Sequence, residues 1–383
     1  QTIVGLGAAH ELRGCGEARW HELVAAARRL VIGGDVAPKL LGGLAFAPGT
    51  ADRAPWTGFG DAWFVLPRWT YSHDGQTARL VLAVDAREAA HAARWRDELR
   101  ALEDALATRF APRLQPPMRE LDDGDRDAWR AQVRAITDAI ARGEHDKIVA
   151  ARAAVVTLAG EVRAADLLAE LDARHAECAR VLVRPPGGGA LVAATPERLV
   201  RKQGALIACD ALAGSHPRDP EALLASGKDR REHQLVVRAI VDALSELGAT
   251  VDVPAQPAIR ALRHVLHLHT PITARLARPT HVLEVAARLH PTPAVGGTPT
   301  RIATEWIGAK EPVPRGWYAA PVGWFDLDGD GELAVAIRSG LLAGERAHLW
   351  AGAGIVAGSD PDRELAETEL KLRAMLGALG VSG

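Results

Sequence analysis

The sequence contains few residues of several informative kinds, and each scarcity excludes a class of protein. Three cysteines, Cys15, Cys178 and Cys209, are widely spaced among 383 residues, which is neither a disulfide framework nor a zinc-binding pattern. No run reaches the roughly 18 apolar residues of a membrane span. No basic segment followed by an apolar run opens the chain. We therefore expect a cytoplasmic protein with no membrane partner.

An excess of charge of either sign is also missing. Lys and Arg total 46 against 48 Asp and Glu, a formal net charge of -2. Because no basic excess is available to neutralise phosphates, nucleic acid is not expected as a partner. Apolar residues make up 48% of the chain and charged residues 25%, which is typical of a globular protein of one large or two ordinary domains.

Lysine is scarce as well. It occurs only at positions 39, 147, 202, 228, 310 and 371, and arginine supplies all the other basic residues. Arginine cannot accept a proton at neutral pH, whereas a buried lysine can. Each lysine is therefore a candidate for a task that arginine could not perform, although simple retention at the surface would explain most of them.

A proline- and aspartate-rich stretch, residues 111–126, is typical of a linker. We predict a variable N-terminal part over 1–126 and a more regular region over 127–383, the two forming one interleaved structural unit. The N-terminal part contains a predicted helix over 86–108. Its four tryptophans at positions 56, 63, 69 and 95 are expected to pack in the core rather than stack on a cofactor.

The region after the linker alternates helical and strand-like patterns. We predict a strand from Lys147, a long helix over 221–247, a hairpin whose second strand spans 332–342, and a last helix over 360–379. Hairpin-linked strands interrupted by helices indicate an α+β fold rather than a doubly wound parallel sheet.

Carboxylates on two of these helices are candidate functional residues. Glu232 continues the apolar stripe of its helix, so it is predicted to be buried with a partner or a metal. A simple internal ion pair is the alternative. Glu364, Glu367 and Lys371 share one face of the last helix, where a solvated salt-bridge ladder is the alternative.

The environment of the last helix favours a ligand. The glycine-rich segment AGAGIVAGS precedes it and would let a ligand approach the backbone near the helix N-terminus. Carboxylates without a cysteine or histidine cluster suit Mg²⁺. With Arg338 and Lys371 nearby in this pattern, the residues indicate a Mg²⁺-dependent enzyme acting on a small anion.

These motifs resemble the chorismate-utilising enzymes, and among them most closely the isochorismate synthases. Nine blocks in family order carry the resemblance over about residues 128–380: KIVAAR (147–152), TPERL (195–199), ALAGS (211–215), KDRREHQLVV (228–237), LHPTPAVGGTP (289–299), RGWYAAPVGW (315–324), AIRSG (336–340), AGAGIVAGSD (351–360) and ELAETELKL (364–372). The resemblance implies large antiparallel sheets flanked by helices, with the active site between them.

The resemblance also implies an activity and the residues that carry it. Water would add at C2 of chorismate while the C4 hydroxyl leaves, with Lys147 as general base and Glu197 as general acid. Mg²⁺ would lie on Glu232 and Glu367, and Glu364 would support it directly or through water.

The remaining implied residues bind the substrate. The ring carboxylate would meet the metal and the backbone of Gly214, Ser215 and the segment Gly352, Ala353 and Gly354. The enolpyruvyl carboxylate would meet Arg338 with Tyr318 beside it, Lys371 would lie near the metal and His267 near the ring. A monomer is expected.

Alternatives within the resemblance remain open. A salicylate synthase would share the site and add pyruvate elimination from isochorismate, and Ser215 stands where threonine is usual in the family. Ala213 disfavours covalent catalysis by a lysine at that position, as in aminodeoxychorismate synthases. A non-catalytic relative is disfavoured because Lys147 and Glu197 are both present. The product could serve menaquinone or siderophore biosynthesis.

Overall fold

The computed structural model describes residues 1–34, 36–108, 111–113 and 115–381. Residue 114 of the predicted linker and residues 382–383 of the predicted second region lie outside them. The strands are β1 Thr2–Leu6, β2 His10–Gly14, β3 Lys39–Leu44, β4 Ala62–Leu66, β5 Trp69–His73, β6 Ala78–Leu82, β7 Met118–Asp122, β8 Lys147–Leu158, β9 Ala179–Val183, β10 Ala190–Thr195, β11 Arg198–Gln203, β12 Leu206–His216, β13 Thr250–Asp252, β14 Ala258–Ala261, β15 Leu266–Arg275, β16 Gly297–Thr298, β17 Pro321–Asp326, β18 Gly331–Val335, β19 Ser339–Ala343 and β20 Arg346–Ile355. The helices are α1 Arg19–Ala27, α2 Ala92–Ala107, α3 Arg126–Ala141, α4 Ala164–Arg174, α5 Pro220–Ala225, α6 Gly227–Glu246, α7 Val282–Leu289, α8 Thr300–Lys310 and α9 Pro361–Ala378.

Antiparallel pairing builds two large sheets and one small one. The ten-stranded sheet has the order β13-β15-β12-β11-β18-β17-β3-β4-β2, with β14 also paired to β15. The seven-stranded sheet has the order β16-β8-β20-β19-β10-β9, with β7 paired to β8, and β1, β5 and β6 form the small sheet. Helices pack against these sheets, so the predicted α+β class is confirmed.

Strands from the N-terminal part complete the ten-stranded sheet. β3 pairs with β17 over five residue pairs, and β4 and β2 extend the sheet beyond it. The four tryptophans of this part, Trp56, Trp63, Trp69 and Trp95, are buried as predicted. The boundary at residue 126 stays a prediction.

Two short crossings of the chain between the two large sheets lie side by side. The first crossing joins β10 to β11 and carries Glu197, and the second joins β18 to β19 and carries Arg338. The crossings are hydrogen bonded to each other: Val335 N donates to Glu197 O, and Ala194 N donates to Arg338 O. The two sheets are therefore tied together where these two side chains emerge.

The second crossing corrects one prediction. The expected strand over 332–342 is two strands in different sheets, because the chain turns at Arg338, whose φ is 51°. A left-handed conformation at a non-glycine residue is costly and usually marks a functional constraint. Alternation of apolar residues could not reveal the break because both halves are buried strands.

Other boundaries differ from the predictions for local reasons. The helix over 221–247 is interrupted at Ser226, whose side chain accepts a hydrogen bond from Asp229 N and caps α6. The helix over 86–108 begins only at Ala92, and the linker stretch contains β7, paired with β8. The glycine-rich segment before α9 is a strand at its start, since Gly352 and Gly354 belong to β20.

No helix in the described ranges is both long and apolar enough to span a bilayer.

Candidate active site

A cavity lies where the two large sheets meet at the crossings. It has an empty volume of about 610 Å³, a figure that includes space open to solvent. Most of the predicted site residues line it: Glu197, Gly214, Ser215, Glu232, His267, Tyr318, Arg338, Gly352, Gly354 and Lys371. Lys147, Ala353, Glu364 and Glu367 are not among its lining residues.

Strand geometry explains why only some residues of the segment 352–354 in β20 face the cavity. Successive side chains of a strand point to opposite faces, so Gly352 and Gly354 face the cavity while the buried Ala353 points away from it. Gly352 pairs with Ala151 of β8 and Gly354 with Val149, which places both beside the strand that carries Lys147. This continuous pairing corrects the expectation of a glycine loop at the helix N-terminus.

Glu197 is equipped to act as an acid. Its side chain is only 3% exposed, and burial raises its pKa to about 8, with a further contribution from the negative charge of Asp210. The carboxyl group therefore carries a proton at neutral pH. A buried, protonated carboxyl group at a cavity wall is what proton donation to a poor leaving group requires.

Lys147 is the first residue of β8 in the seven-stranded sheet and is fully buried. Its Nζ is 2.9 Å from Glu232 Oε1, but the angle is poor for a hydrogen bond. The Lys147 amino group has no well-aligned hydrogen-bond partner in the described chain, although it is buried. Gly354 packs against both groups and provides the space for their contact.

Two more lysine–glutamate pairs lie along α6 and α9. Lys228 Nζ is 2.5 Å from Glu364 Oε1, and Lys371 Nζ is 2.6 Å from Glu367 Oε1 and donates to Gly352 O at 2.8 Å. Burial raises the pKa of Glu364 to about 6 in spite of Lys228. Lys371 holds the pKa of Glu367 below its usual value against the effect of burial.

All three glutamates predicted to bind metal thus face a lysine. Burial would lower the pKa of Lys228, but the negative charges of the three glutamates raise it, and Glu364 has the largest effect among them. The three carboxylates therefore all lie close enough to Lys228 to act on it. An all-carboxylate set is the donor chemistry that Mg²⁺ prefers. Within the described ranges, however, no three carboxylate, histidine or cysteine side chains are gathered closely enough to hold an ion. The residues fit Mg²⁺ in chemistry and charge, with lysines as their present counter-ions.

His267 organises the other end of the cavity. Arg338 Nη2 lies 3.1 Å from His267 Nε2, and since a guanidinium can only donate, Nε2 accepts. Nδ1 therefore carries the hydrogen and faces Gly214 O and Ser215 Oγ, both at 3.1 Å. Burial, with Arg338 and Lys371 nearby, lowers the pKa of His267 to about 3, so the ring is neutral.

The structure adds residues that the sequence did not single out. Trp350 lines the cavity and its ring stacks with Tyr318 at a centroid distance of 6.1 Å. Asp210, held by His269 Nε2 at 2.9 Å, helps to keep Glu197 protonated. Neither carries a motif that could have identified it. Lys228 was already a candidate as one of the few lysines, one helical turn before Glu232, and the structure adds its contact with Glu364.

Comparisons with known proteins agree with this geometry. A family model described as chorismate binding enzyme matches residues 1–380. The salicylate biosynthesis isochorismate synthase of Pseudomonas aeruginosa is 36% identical over 98% of this chain and 82% of its own length. The isochorismate synthase MenF of Bacillus subtilis is 34% identical over 90% of this chain and 75% of its own.

A solved structure extends the likeness to three dimensions. The menaquinone-specific isochorismate synthase MenF of Escherichia coli has a TM-score of 0.79 at 28% identity, over 98% of this chain and 85% of its own. The family match runs through the N-terminal strands as well as the cavity residues, and it confirms the resemblance that the nine sequence blocks indicated. The chain belongs to the chorismate binding enzymes.

Proposed function

We propose that this protein is an isochorismate synthase, which converts chorismate to isochorismate with Mg²⁺. The observation that carries the proposal is the placement of a protonated carboxyl group, Glu197, on the cavity wall, with a buried lysine, Lys147, on the strand behind the cavity. The similarity to isochorismate synthases over nearly the whole chain supports the same reaction.

In the proposed reaction one water adds and another leaves. Lys147 accepts a proton from the water that attacks C2 of the ring, and the ring double bonds shift as the bond from C4 to its hydroxyl breaks. Glu197 donates its proton to that hydroxyl, which departs as water. Acid and base catalysis each contribute about 10²–10⁴-fold in enzymes of many kinds.

The remaining residues would bind and orient the substrate. Arg338, with Tyr318 beside it, would hold the enolpyruvyl carboxylate, and the neutral His267 positions the guanidinium through their hydrogen bond. The backbone of Gly214, Ser215 and β20 would receive the ring carboxylate. Bound by Glu232 and Glu367, with Glu364 in support, Mg²⁺ would neutralise that carboxylate and fix the ring.

Product analysis tests the proposal. The protein is incubated with chorismate and Mg²⁺, and the products are separated by chromatography. We expect isochorismate, and no reaction after EDTA treatment until Mg²⁺ is restored. Salicylate with pyruvate in the absence of any other enzyme would assign a salicylate synthase instead, and no turnover under any condition would point to a non-catalytic relative.

A further inference from the structure

A second cavity adjoins the active-site cavity and shares two of its lining residues. It has an empty volume of about 300 Å³ and lies between the end of α4, the turn from β14 to β15, and α9. Arg338 and Lys371 line both cavities. These two side chains are therefore the boundary between the active site and the second cavity.

The second cavity opens to the surface at its other end. Glu177 and Arg263 line it and are exposed to solvent. Between this rim and the inner boundary lie His175 and His264, whose rings are 6.1 Å apart. Burial lowers the pKa of both histidines, so Arg263, Arg338 and Lys371 supply the positive charge opposite Glu177. With three positive side chains and one negative side chain, the second cavity favours an anion over a cation.

The two boundary side chains differ in how firmly they are held. In the described part of the chain Arg338 makes one side-chain hydrogen bond, to His267, and no ion pair with a carboxylate. Its other guanidinium donors are available to a ligand. Lys371 is held from its own helix by Glu367 and from β20 by Gly352 O. Both side chains are long and have several rotatable bonds, and both line the wall between the two cavities.

We propose that the second cavity is the route by which the substrate enters and the product leaves, with Arg338 and Lys371 as its movable inner boundary. The proposal rests on the proposed function for the identity of the ligand, a small dicarboxylate. On this route the Arg338 guanidinium would contact a substrate carboxylate first in the second cavity and then hold it in the active site. Arg338 stands at the left-handed turn between β18 and β19, and its side chain lines both cavities.

The test measures rates of binding. A group on an access route changes the association and dissociation rate constants by the same factor and leaves Kd unchanged, because it affects only the barrier between the free and bound states. Binding is followed by stopped-flow fluorescence, with Trp350 in the cavity wall as reporter, in a Lys147→Ala background that holds chorismate without converting it. His264→Trp narrows the second cavity, and Leu262→Ala, at another of its lining residues, widens it.

We expect both rate constants to fall together, on the order of tenfold, in His264→Trp and to rise together in Leu262→Ala, with Kd unchanged in each. His73→Trp on β5, which lines neither cavity, is the matched control and should change no rate. If Leu262→Ala and a folded His264→Trp bind at the parental rates, or if Kd changes through dissociation alone, the route is overturned while the proposed function stands. If the parent protein binds no chorismate, both proposals fail.

Discussion

Nζ of Lys147 lies 2.9 Å from Oε1 of Glu232 inside the protein, and Gly354 packs against both side chains. A Cβ built on Gly354 would overlap the Glu232 carboxylate and lie 2.9 Å from Lys147 Cε. The contact between the proposed base and a proposed metal ligand therefore exists only because residue 354 has no side chain.

Gly354→Ala should disable the active site and leave the fold intact. The added methyl group displaces the Glu232 carboxylate and the end of the Lys147 side chain rather than backbone, so the loss should fall on turnover, by about 10²-fold or more. Steady-state assays and thermal unfolding check this. The control is Gly308→Ala on α8, where nothing lies within 4 Å of an added Cβ. Near-normal turnover in Gly354→Ala would show that the contact has no role.

Glu197→Gln should remove the proton donor and little else. The amide preserves shape, so chorismate should still bind while the rate falls by about 10²–10⁴-fold. Calorimetric titration gives the binding constant, and chromatography of products gives the rate. A variant that retains most of its turnover would refute the role of Glu197 as the acid.

The pH dependence of the native enzyme should follow the same group. Since the pKa of Glu197 is raised to about 8, the acid is protonated at neutral pH and turnover should decline as pH rises through that value. The contribution of this proton to the free energy of unfolding also falls as pH rises. It is fully present below about 4.5, the ordinary pKa, and is lost as pH rises through about 8.

Unfolding by denaturant at several pH values measures that loss. Glu197→Gln has no ionisable group at this position, so its stability relative to the native protein should increase with pH between those limits, by on the order of a few kcal/mol. A constant difference across the range would mean that the carboxyl group titrates normally in the folded protein.

Lys147→Ala should nearly abolish isochorismate formation while chorismate still binds. Arginine could not replace the lysine, because it keeps its proton at neutral pH, so Lys147→Arg should be as inactive as the alanine variant. Activity assays of both variants test the point. Recovery of activity with arginine would indicate that the positive charge alone matters.

Lys228→Met should tighten the binding of Mg²⁺. The lysine contacts Glu364, and Glu232 and Glu367 also act on it, so its removal leaves buried carboxylate charge for the ion to neutralise. We expect roughly tenfold tighter binding in calorimetric titrations and a larger rise in Tm on addition of Mg²⁺. Lys310→Met, at an exposed position, is the control. Unchanged or weaker binding in Lys228→Met would show that the lysine supports the site rather than competing for it.

The sequence by itself determined which chemical groups this protein has and much of its local structure. The blocks in order identified the family, β8 begins at Lys147 as predicted, and the apolar stripe of α6 correctly predicted a buried Glu232. These features depend on residues that are close in the sequence, so the spacing of apolar residues predicts them directly. The scarcity of lysine also pointed to the right residues, since Lys147, Lys228 and Lys371 each contact a predicted metal ligand.

Only the tertiary structure decided how those groups are paired and reached. Lys147 meets Glu232, and Lys228 meets Glu364, across separate elements far apart in the chain, so no local pattern could have predicted the partners. The turn at Arg338 was missed because burial on both sides looks the same in sequence whether or not the strand changes sheets. The shared wall of the two cavities likewise arises only when both sheets and α9 are brought together.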